Sequence, residues 1–120
     1  MPARVMILED DPYIALDMEG LVEDAGYKVM GPVATPTAAL RLIADNDNPD
    51  CALLDFHVTG GTTEVVAREL DRLGVPYMFL TANAGDVAAA LPDCDPLIHS
   101  KPVRARGVLN SLKALLTQRA

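Results

Sequence analysis

Short apolar runs alternate with amphipathic stretches five times along the 120 residues, and this alternation limits the fold more than any other feature. The runs are rich in Val, Ile and Leu, and apolar residues at helical spacing follow them. Strict alternation of this kind predicts a parallel sheet with helices on both faces. The predicted strands cover residues 4–8, 27–33, 51–54, 75–80 and 96–100.

Local signals place the helices between these strands. Asp11 and Pro12 combine an N-cap side chain with a first-turn proline, so the first helix is predicted to begin there. The last helix is predicted over residues 105–118, where leucines recur at helical spacing. Only a brief helical run, residues 86–91, separates the fourth and fifth strands, so a shortened fourth helix is predicted.

Composition narrows the function classes. Acidic residues outnumber basic ones by 17 to 10, which argues against a nucleic-acid partner because phosphate backbones are bound through clustered Lys and Arg. No apolar run approaches the roughly 20 residues that span a bilayer, and the N-terminus lacks a signal-peptide core. A single domain over residues 1–120, in the cytoplasm and away from membranes, is therefore expected.

Polar side chains follow four of the predicted strands. They are Glu9, Asp10 and Asp11 after the first strand, Asp55 after the third, Thr81 after the fourth and Lys101 after the fifth. Ligands of an open parallel sheet bind beyond the carboxyl ends of its strands, where these side chains meet. Clustered carboxylates repel one another unless a cation joins them, which predicts a Mg2+ site, with Mn2+ as the alternative ion.

Asp55 is expected to be the reactive carboxylate of this site. A carboxylate beside a metal ion is arranged for attack on phosphorus, because the metal neutralises charge on the phosphoryl oxygens. Lys101 and Thr81 supply further hydrogen-bond donors. Asp11, in contrast, is interpreted as a helix cap.

The order of acids, hydroxyl and lysine after successive strands resembles the receiver domain of bacterial two-component response regulators, a CheY-like superfamily. The resemblance covers essentially the whole chain. The resemblance implies a flavodoxin-like (βα)5 sandwich of three layers, with strand order 2-1-3-4-5. It also implies roles for the matched positions. Glu9 and Asp10 would be metal ligands, together with the backbone carbonyl of His57. Asp55 would be the phosphoacceptor, Thr81 would be the switch residue, and Lys101 would be followed by a cis-linked Pro102.

The chain departs from the family pattern at several positions. The switch aromatic of the fifth strand is replaced by Ile98, and the usual proline and acid of the loop after the phosphoacceptor are replaced by residues 58–61. Residues 76–83 partly match a subclass with a Pro-Phe-x-Phe-x-Thr-Gly-Tyr signature. His57 and Asn83 align with positions that tune dephosphorylation, so they are expected to set the phosphoryl lifetime.

The function implied by the resemblance is that of a stand-alone response regulator. It would take a phosphoryl group from a sensor histidine kinase or a histidine phosphotransfer protein and act on a protein partner, as a monomer or a phosphorylation-dependent dimer. Such a protein is not an enzyme, although it labels itself and slowly loses its own phosphoryl group.

Three other functions remain open at this stage. The first is an adaptor of the same fold that works without phosphorylation, since the altered loop and Ile98 weaken the usual switch. The second is a flavodoxin-like cofactor protein, although Glu9 and Asp10 would repel phosphate without a metal. The third is a phosphatase with an aspartyl nucleophile, although no second acid follows Asp55 by two residues.

Overall fold

The computed structural model describes residues 2–93, 96–101 and 104–118. Its strands are β1 (Arg4–Leu8), β2 (Lys28–Val33), β3 (Cys51–Asp55), β4 (His57–Val58), β5 (Gly61–Thr62), β6 (Tyr77–Thr81) and β7 (Leu97–Ser100). Its helices are α1 (Pro12–Asp24), α2 (Pro36–Asp45), α3 (Glu64–Leu73), α4 (Ala84–Ala90) and α5 (Ala105–Gln118). None of the helices in these ranges combines the length and apolar character that a membrane crossing requires.

Five strands form one parallel sheet in the order β2-β1-β3-β6-β7. The two short strands β4 and β5 lie outside it as a separate antiparallel pair. In the main sheet, β6 and β7 are therefore the fourth and fifth strands, and the predicted order 2-1-3-4-5 is confirmed. The fold is the flavodoxin-like (βα)5 arrangement that the alternating pattern and the resemblance predicted.

Helices cover both faces of the sheet because alternate residues of each strand point to opposite sides. In β1, Met6 and Leu8 belong to a buried cluster shared with α2, α3 and α4. Val5 and Ile7 belong to a second buried cluster shared with α1 and α5. The central strands β1, β3 and β6 are buried on both faces along almost their whole length, which explains why they are continuous apolar runs in the sequence.

A register shift in β2 positions the first acidic residue of the site. Met6 pairs with Met30, but Leu8 pairs with Val33, so β2 contains an extra residue between these pairs. Gly31 sits in this irregularity with a φ of +93°, a conformation that favours glycine. Beyond the shift, the Glu9 N–H donates to the Val33 carbonyl at 2.9 Å, which fixes the backbone where the acidic loop begins.

Helix α4 is short, as predicted, and has only seven residues. It begins at Ala84, two residues before the predicted run, because the Asn83 side chain caps it by accepting a hydrogen bond from the Gly85 N–H at 3.0 Å. The Gly31–Pro32 peptide bond is cis. Pro102, for which a cis bond was predicted, lies outside the described residues.

The segment after β3 folds into a hairpin that the sequence analysis did not predict. His57 pairs with Thr62, and Val58 pairs with Gly61, so the turn consists of two residues. Gly60 and Gly61 have φ angles of +95° and +127°, which explains why glycines occupy these positions. The two glycines had indicated only a loop, because each flanking strand is too short to show an alternating pattern.

Candidate metal site

Three carboxylates meet at the carboxyl end of the sheet. Glu9 and Asp10 follow β1, and Asp55 is the last residue of the adjacent strand β3. One carboxylate oxygen from each of these residues lies within 4.8 Å of the other two. Glu9 and Asp55 are buried, whereas Asp10 is half-buried and closes the cluster on the solvent side. The predicted meeting of Glu9, Asp10 and Asp55 is therefore present in the structure.

Lys101 links two of these acids. Its Nζ donates to Glu9 Oε1 at 3.1 Å and lies 3.3 Å from Asp55 Oδ2. The backbone places it there, because the Lys101 N–H donates to the Thr81 carbonyl at 2.8 Å. The ammonium group thus offsets part of the repulsion between Glu9 and Asp55.

The cluster perturbs two titratable groups. Burial raises the pKa of Glu9 from its ordinary value of 4.5 to about 7, and the neighbouring Asp55 carboxylate adds to the rise, whereas the Asp11 N–H and Lys101 oppose it. Burial lowers the pKa of Lys101, but its contacts with Glu9 and Asp55 outweigh this effect and the pKa is raised overall. Without a metal ion, Glu9 therefore holds a proton more readily than an exposed glutamate does.

The raised pKa of Glu9 predicts how stability depends on pH without metal. The folded protein holds the Glu9 proton more tightly than the unfolded chain, so this stabilising contribution is complete below the ordinary pKa and is lost as pH rises through the folded pKa. We expect the free energy of unfolding in EDTA to fall by on the order of 2 kcal/mol between about pH 5 and about pH 8. Urea unfolding at several pH values measures this change.

Two comparisons test whether Glu9 causes this loss of stability with rising pH. The Glu9→Gln variant should show a smaller decline over the same pH range, because it carries no titrating carboxyl group at that position. Millimolar Mg2+ should also reduce the decline, because a metal ion stabilises the ionised acids and adds its binding energy to the folded state. An equal decline in the Glu9→Gln variant would show that other groups cause it.

The neighbouring Asp11 serves a different purpose. Its Oδ1 accepts hydrogen bonds from the N–H groups of Tyr13 and Ile14, at 2.9 and 3.2 Å. This is the N-cap of α1, and the helix-cap interpretation of Asp11 is confirmed. In addition, the Asp11 N–H donates to Glu9 Oε2 at 3.1 Å, so the cap also holds the buried glutamate.

Asp10 contacts the turn of the hairpin, and this contact was not predicted from the sequence. Its Oδ2 accepts hydrogen bonds from the Thr59 N–H at 2.9 Å and from Thr59 Oγ1 at 3.2 Å. The only sequence signal for this contact was that residues 58–61 replace the usual proline and acid of the resembled family.

Thr81 and Asn83 lie at the end of β6, beside β7. The Thr81 side chain is buried, and its Oγ1 accepts a hydrogen bond from the Asn83 N–H at 3.1 Å. Asn83 therefore links Thr81 to α4, since its own side chain caps that helix. Thr81, the predicted switch residue, is next to Lys101, because the Lys101 N–H donates to the Thr81 carbonyl.

The His57 side chain lies outside the cluster of Glu9, Asp10 and Asp55. The imidazole is exposed, and Nε2 lies 2.7 Å from Asp86 Oδ2 in α4. No sequence pattern indicated this pair, whose members are 29 positions apart. Ile98, at the predicted switch-aromatic position, is half-buried and packs against the core on the side of α2, α3 and α4.

The donor set suits a hard divalent cation. All three side chains offer carboxylate oxygens, which Mg2+ and Mn2+ prefer, and the described residues place no thiolate or imidazole in this cluster. The spacing of the oxygens lets one ion contact ligands from more than one acid. An ion here would also relieve the repulsion that raises the pKa of Glu9.

Sequence comparison finds a regulator and an enzyme among the relatives of this chain. No known protein-family model matches the chain. The chain is 34% identical over 84 residues to the phyllosphere-induced regulator PhyR of Methylorubrum extorquens, covering 68% of this chain and 32% of PhyR. It is 31% identical over 91 residues to protein-glutamate methylesterase/protein-glutamine glutaminase 3 of Hahella chejuensis, covering 72% of this chain and 26% of that protein. The chain thus spans about a third and about a quarter of these relatives.

Structure comparison agrees over nearly the whole chain. The receiver domain of the PhyR response regulator from Erythrobacter litoralis superposes with a TM-score of 0.84 at 28% identity, covering 97% of this chain and 91% of that domain. A CheY-like receiver domain protein from Methanospirillum hungatei superposes with a TM-score of 0.87 at 22% identity, covering 98% and 96%. With this fold and its relationship to PhyR, the chain belongs to the CheY-like receiver domains of two-component response regulators.

Proposed function

We propose that this chain is a response-regulator receiver domain that accepts a phosphoryl group on Asp55. The observation that carries the proposal is the cluster of Glu9, Asp10 and Asp55, with the Lys101 ammonium between Glu9 and Asp55. In this proposal residues 1–120 act as one receiver domain in the cytoplasm. The donor is a sensor histidine kinase or a histidine phosphotransfer protein, and the signal passes to a protein partner.

The reaction moves one phosphoryl group between two nucleophiles. A carboxylate oxygen of Asp55 attacks the phosphorus of a phosphohistidine, forming a P–O bond as the P–N bond breaks. The electron pair of the broken bond stays with the imidazole, which takes a proton from solvent. Asp55 suits the attack because its side chain, which is 10% exposed, stands at the open end of the sheet.

Glu9, Asp10, Asp55 and the backbone carbonyl of His57 would hold Mg2+, or Mn2+ in its place. When bound, the ion neutralises negative charge on the phosphoryl oxygens. Lys101 would exchange its contact with Asp55 for one to a phosphoryl oxygen. The Thr81 hydroxyl, which now accepts from the Asn83 N–H and donates to the Asn83 carbonyl, would turn and donate to the same group.

Intact-protein mass spectrometry after incubation with acetyl phosphate and Mg2+ tests the proposal. The native protein should gain the mass of one phosphoryl group, and the adduct should be labile in base, as an acyl phosphate is. Asp55→Asn should gain none. Asp47→Asn makes the same change in an exposed loop and should be labelled like the native protein.

The same experiment distinguishes a phosphorylated receiver from an adaptor that works without phosphorylation. Absence of any adduct, with Mg2+ binding demonstrated by calorimetry, would reject phosphorylation and support an adaptor that works without it. The replacement of the switch aromatic by Ile98 is the feature that favours that alternative. An adduct that survives in Asp55→Asn would place the phosphoacceptor elsewhere.

His57 and Asn83 are expected to set the lifetime of the phosphorylated protein. Replacing either side chain changes the access of water to the acyl phosphate, so the decay rate should change by roughly tenfold or less while labelling still occurs. Asn83→Ser is the informative variant at that position, because serine retains the α4 cap that Asn83 provides. The decay is followed by mass spectrometry after the phosphodonor is removed.

A further inference from the structure

We propose that Thr59 is a positioning residue for the metal site, which orients the Asp10 carboxylate from the turn of the β4–β5 hairpin. The inference rests on the Mg2+ site of the proposed function and assigns a role to a residue outside the proposed set of metal ligands. Thr59 lies 49 positions from Asp10 in the sequence, and two of its donors reach the same carboxylate.

Both hydrogen bonds end on one oxygen. The Thr59 N–H and Oγ1 donate to Asp10 Oδ2 at 2.9 and 3.2 Å, and neither uses Oδ1. This leaves Oδ1 available to a cation while Oδ2 fixes the plane of the carboxylate. Hydrogen bonds to an ionised carboxylate are stronger than neutral ones, so they restrict Asp10 even at a half-exposed position.

The donors are held in place by the hairpin. Thr59 and Gly60 form the two-residue turn between the paired strands, and the buried Val58 side chain anchors the first strand. On the other side, His57 contacts Asp86 at 2.7 Å and ties the hairpin to α4. Because the turn is tethered at several points, the Thr59 donors are oriented before a metal ion arrives.

A pre-oriented ligand binds a metal more tightly than a mobile one, since less freedom is lost on binding. Groups that orient metal ligands typically change metal affinity by about 10- to 100-fold when removed. The contact to Asp10 is solvent-exposed, and loss of the Thr59 hydroxyl would remove only one of its two donors. We therefore expect the loss of metal affinity to be less than about tenfold. A proline at position 59 would lack the N–H donor altogether.

Isothermal titration of the metal-free protein with Mg2+ tests this role. Thr59→Val removes the hydroxyl and should weaken Mg2+ binding about threefold, whereas Thr59→Ser keeps the donor and should bind like the native protein. Thr62→Val makes the same change at an exposed position of the second hairpin strand and should also bind like the native protein. Binding by Thr59→Val that is unchanged or tighter would overturn the proposal.

Amide hydrogen exchange gives a readout that needs no metal. The Thr59 N–H should exchange about tenfold faster in Asp10→Ala than in the native protein, because its acceptor is gone. Asp47→Ala should leave the rate unchanged. An unchanged rate in Asp10→Ala would contradict the contact itself.

The outcomes distinguish this inference from the proposed function. A native protein that binds no Mg2+ would overturn both. A native protein that binds Mg2+ and is phosphorylated, with Thr59→Val indistinguishable from Thr62→Val, would overturn only the role of Thr59.

Discussion

Replacing Lys101 with methionine should destabilise the metal-free protein by about 2–3 kcal/mol at about pH 8. The substitution removes the cation that contacts both Glu9 and Asp55, and it leaves two buried carboxylates facing each other. The loss of stability should be smaller than that caused by removing one partner of a fully buried ion pair, because the Lys101 side chain is 23% exposed. Methionine keeps most of the apolar length of the lysine side chain, so packing changes little.

The effect of this variant should depend on pH in a defined direction. Since the pKa of Glu9 is already raised to about 7, lowering the pH protonates Glu9 and removes one of the two opposed charges. The loss in Lys101→Met should therefore shrink to about 1 kcal/mol at about pH 5.5. Mg2+ should restore more stability in the variant than in the native protein, because it replaces the missing positive charge.

Urea unfolding in EDTA and in millimolar Mg2+, at both pH values, measures these differences. Lys113→Met is the matched control, because Lys113 is exposed on α5, and its stability should stay within about 0.5 kcal/mol of the native value. A Lys101→Met variant as stable as Lys113→Met at the higher pH would show that the ammonium group does not stabilise the acid cluster.

Replacing Gly31 with alanine should lower the free energy of unfolding by about 3 kcal/mol. Gly31 has a φ of +93°, and a Cβ there would lie 2.8 Å from the Val33 backbone nitrogen and 3.2 Å from the Ile7 carbonyl oxygen. Both neighbours are backbone atoms of paired strands, so neither can move without disturbing the sheet. The destabilisation should appear as a drop of roughly 10 °C in Tm.

The same substitution at Gly20 provides a control with the opposite sign. Gly20 lies inside α1, and a Cβ there would have nothing within 4 Å. Alanine is the better helix former, so Gly20→Ala should raise stability by up to about 1 kcal/mol. Thermal melts of the two variants measure the contrast, and a Gly31→Ala protein as stable as the native one would contradict the strained geometry of the β2 irregularity.

Much of the fold could be predicted because its signals are local. The apolar runs are strands, of which the central three are buried on both faces. The helices between them carry caps such as Asp11 that are visible in the sequence. Parallel strands bring their carboxyl ends to one edge, so the meeting of Glu9, Asp55 and Lys101 followed from the order of residues along the chain. The short α4 was likewise visible as a brief run of helical spacing.

Contacts between distant side chains could not be predicted in this way. The hairpin that carries Thr59 has strands of two residues, too short for any periodic pattern. The contacts of Thr59 with Asp10 and of His57 with Asp86 join residues 49 and 29 positions apart, and each requires the hairpin in its folded position. The register shift at Gly31 depends on how β1 and β2 pair, which neither strand encodes alone.

The sequence by itself determined the alternating architecture and which residue types collect at the carboxyl end of the sheet, because strand and helix periodicity and chain order are sufficient for both. Only the tertiary structure decided the protonation and the orientation of those groups. The raised pKa of Glu9 depends on its burial beside Asp55, and the orientation of Asp10 depends on donors from a separate hairpin. Burial and hydrogen-bond geometry are properties of the packed chain, so they appear only when the distant segments are in contact.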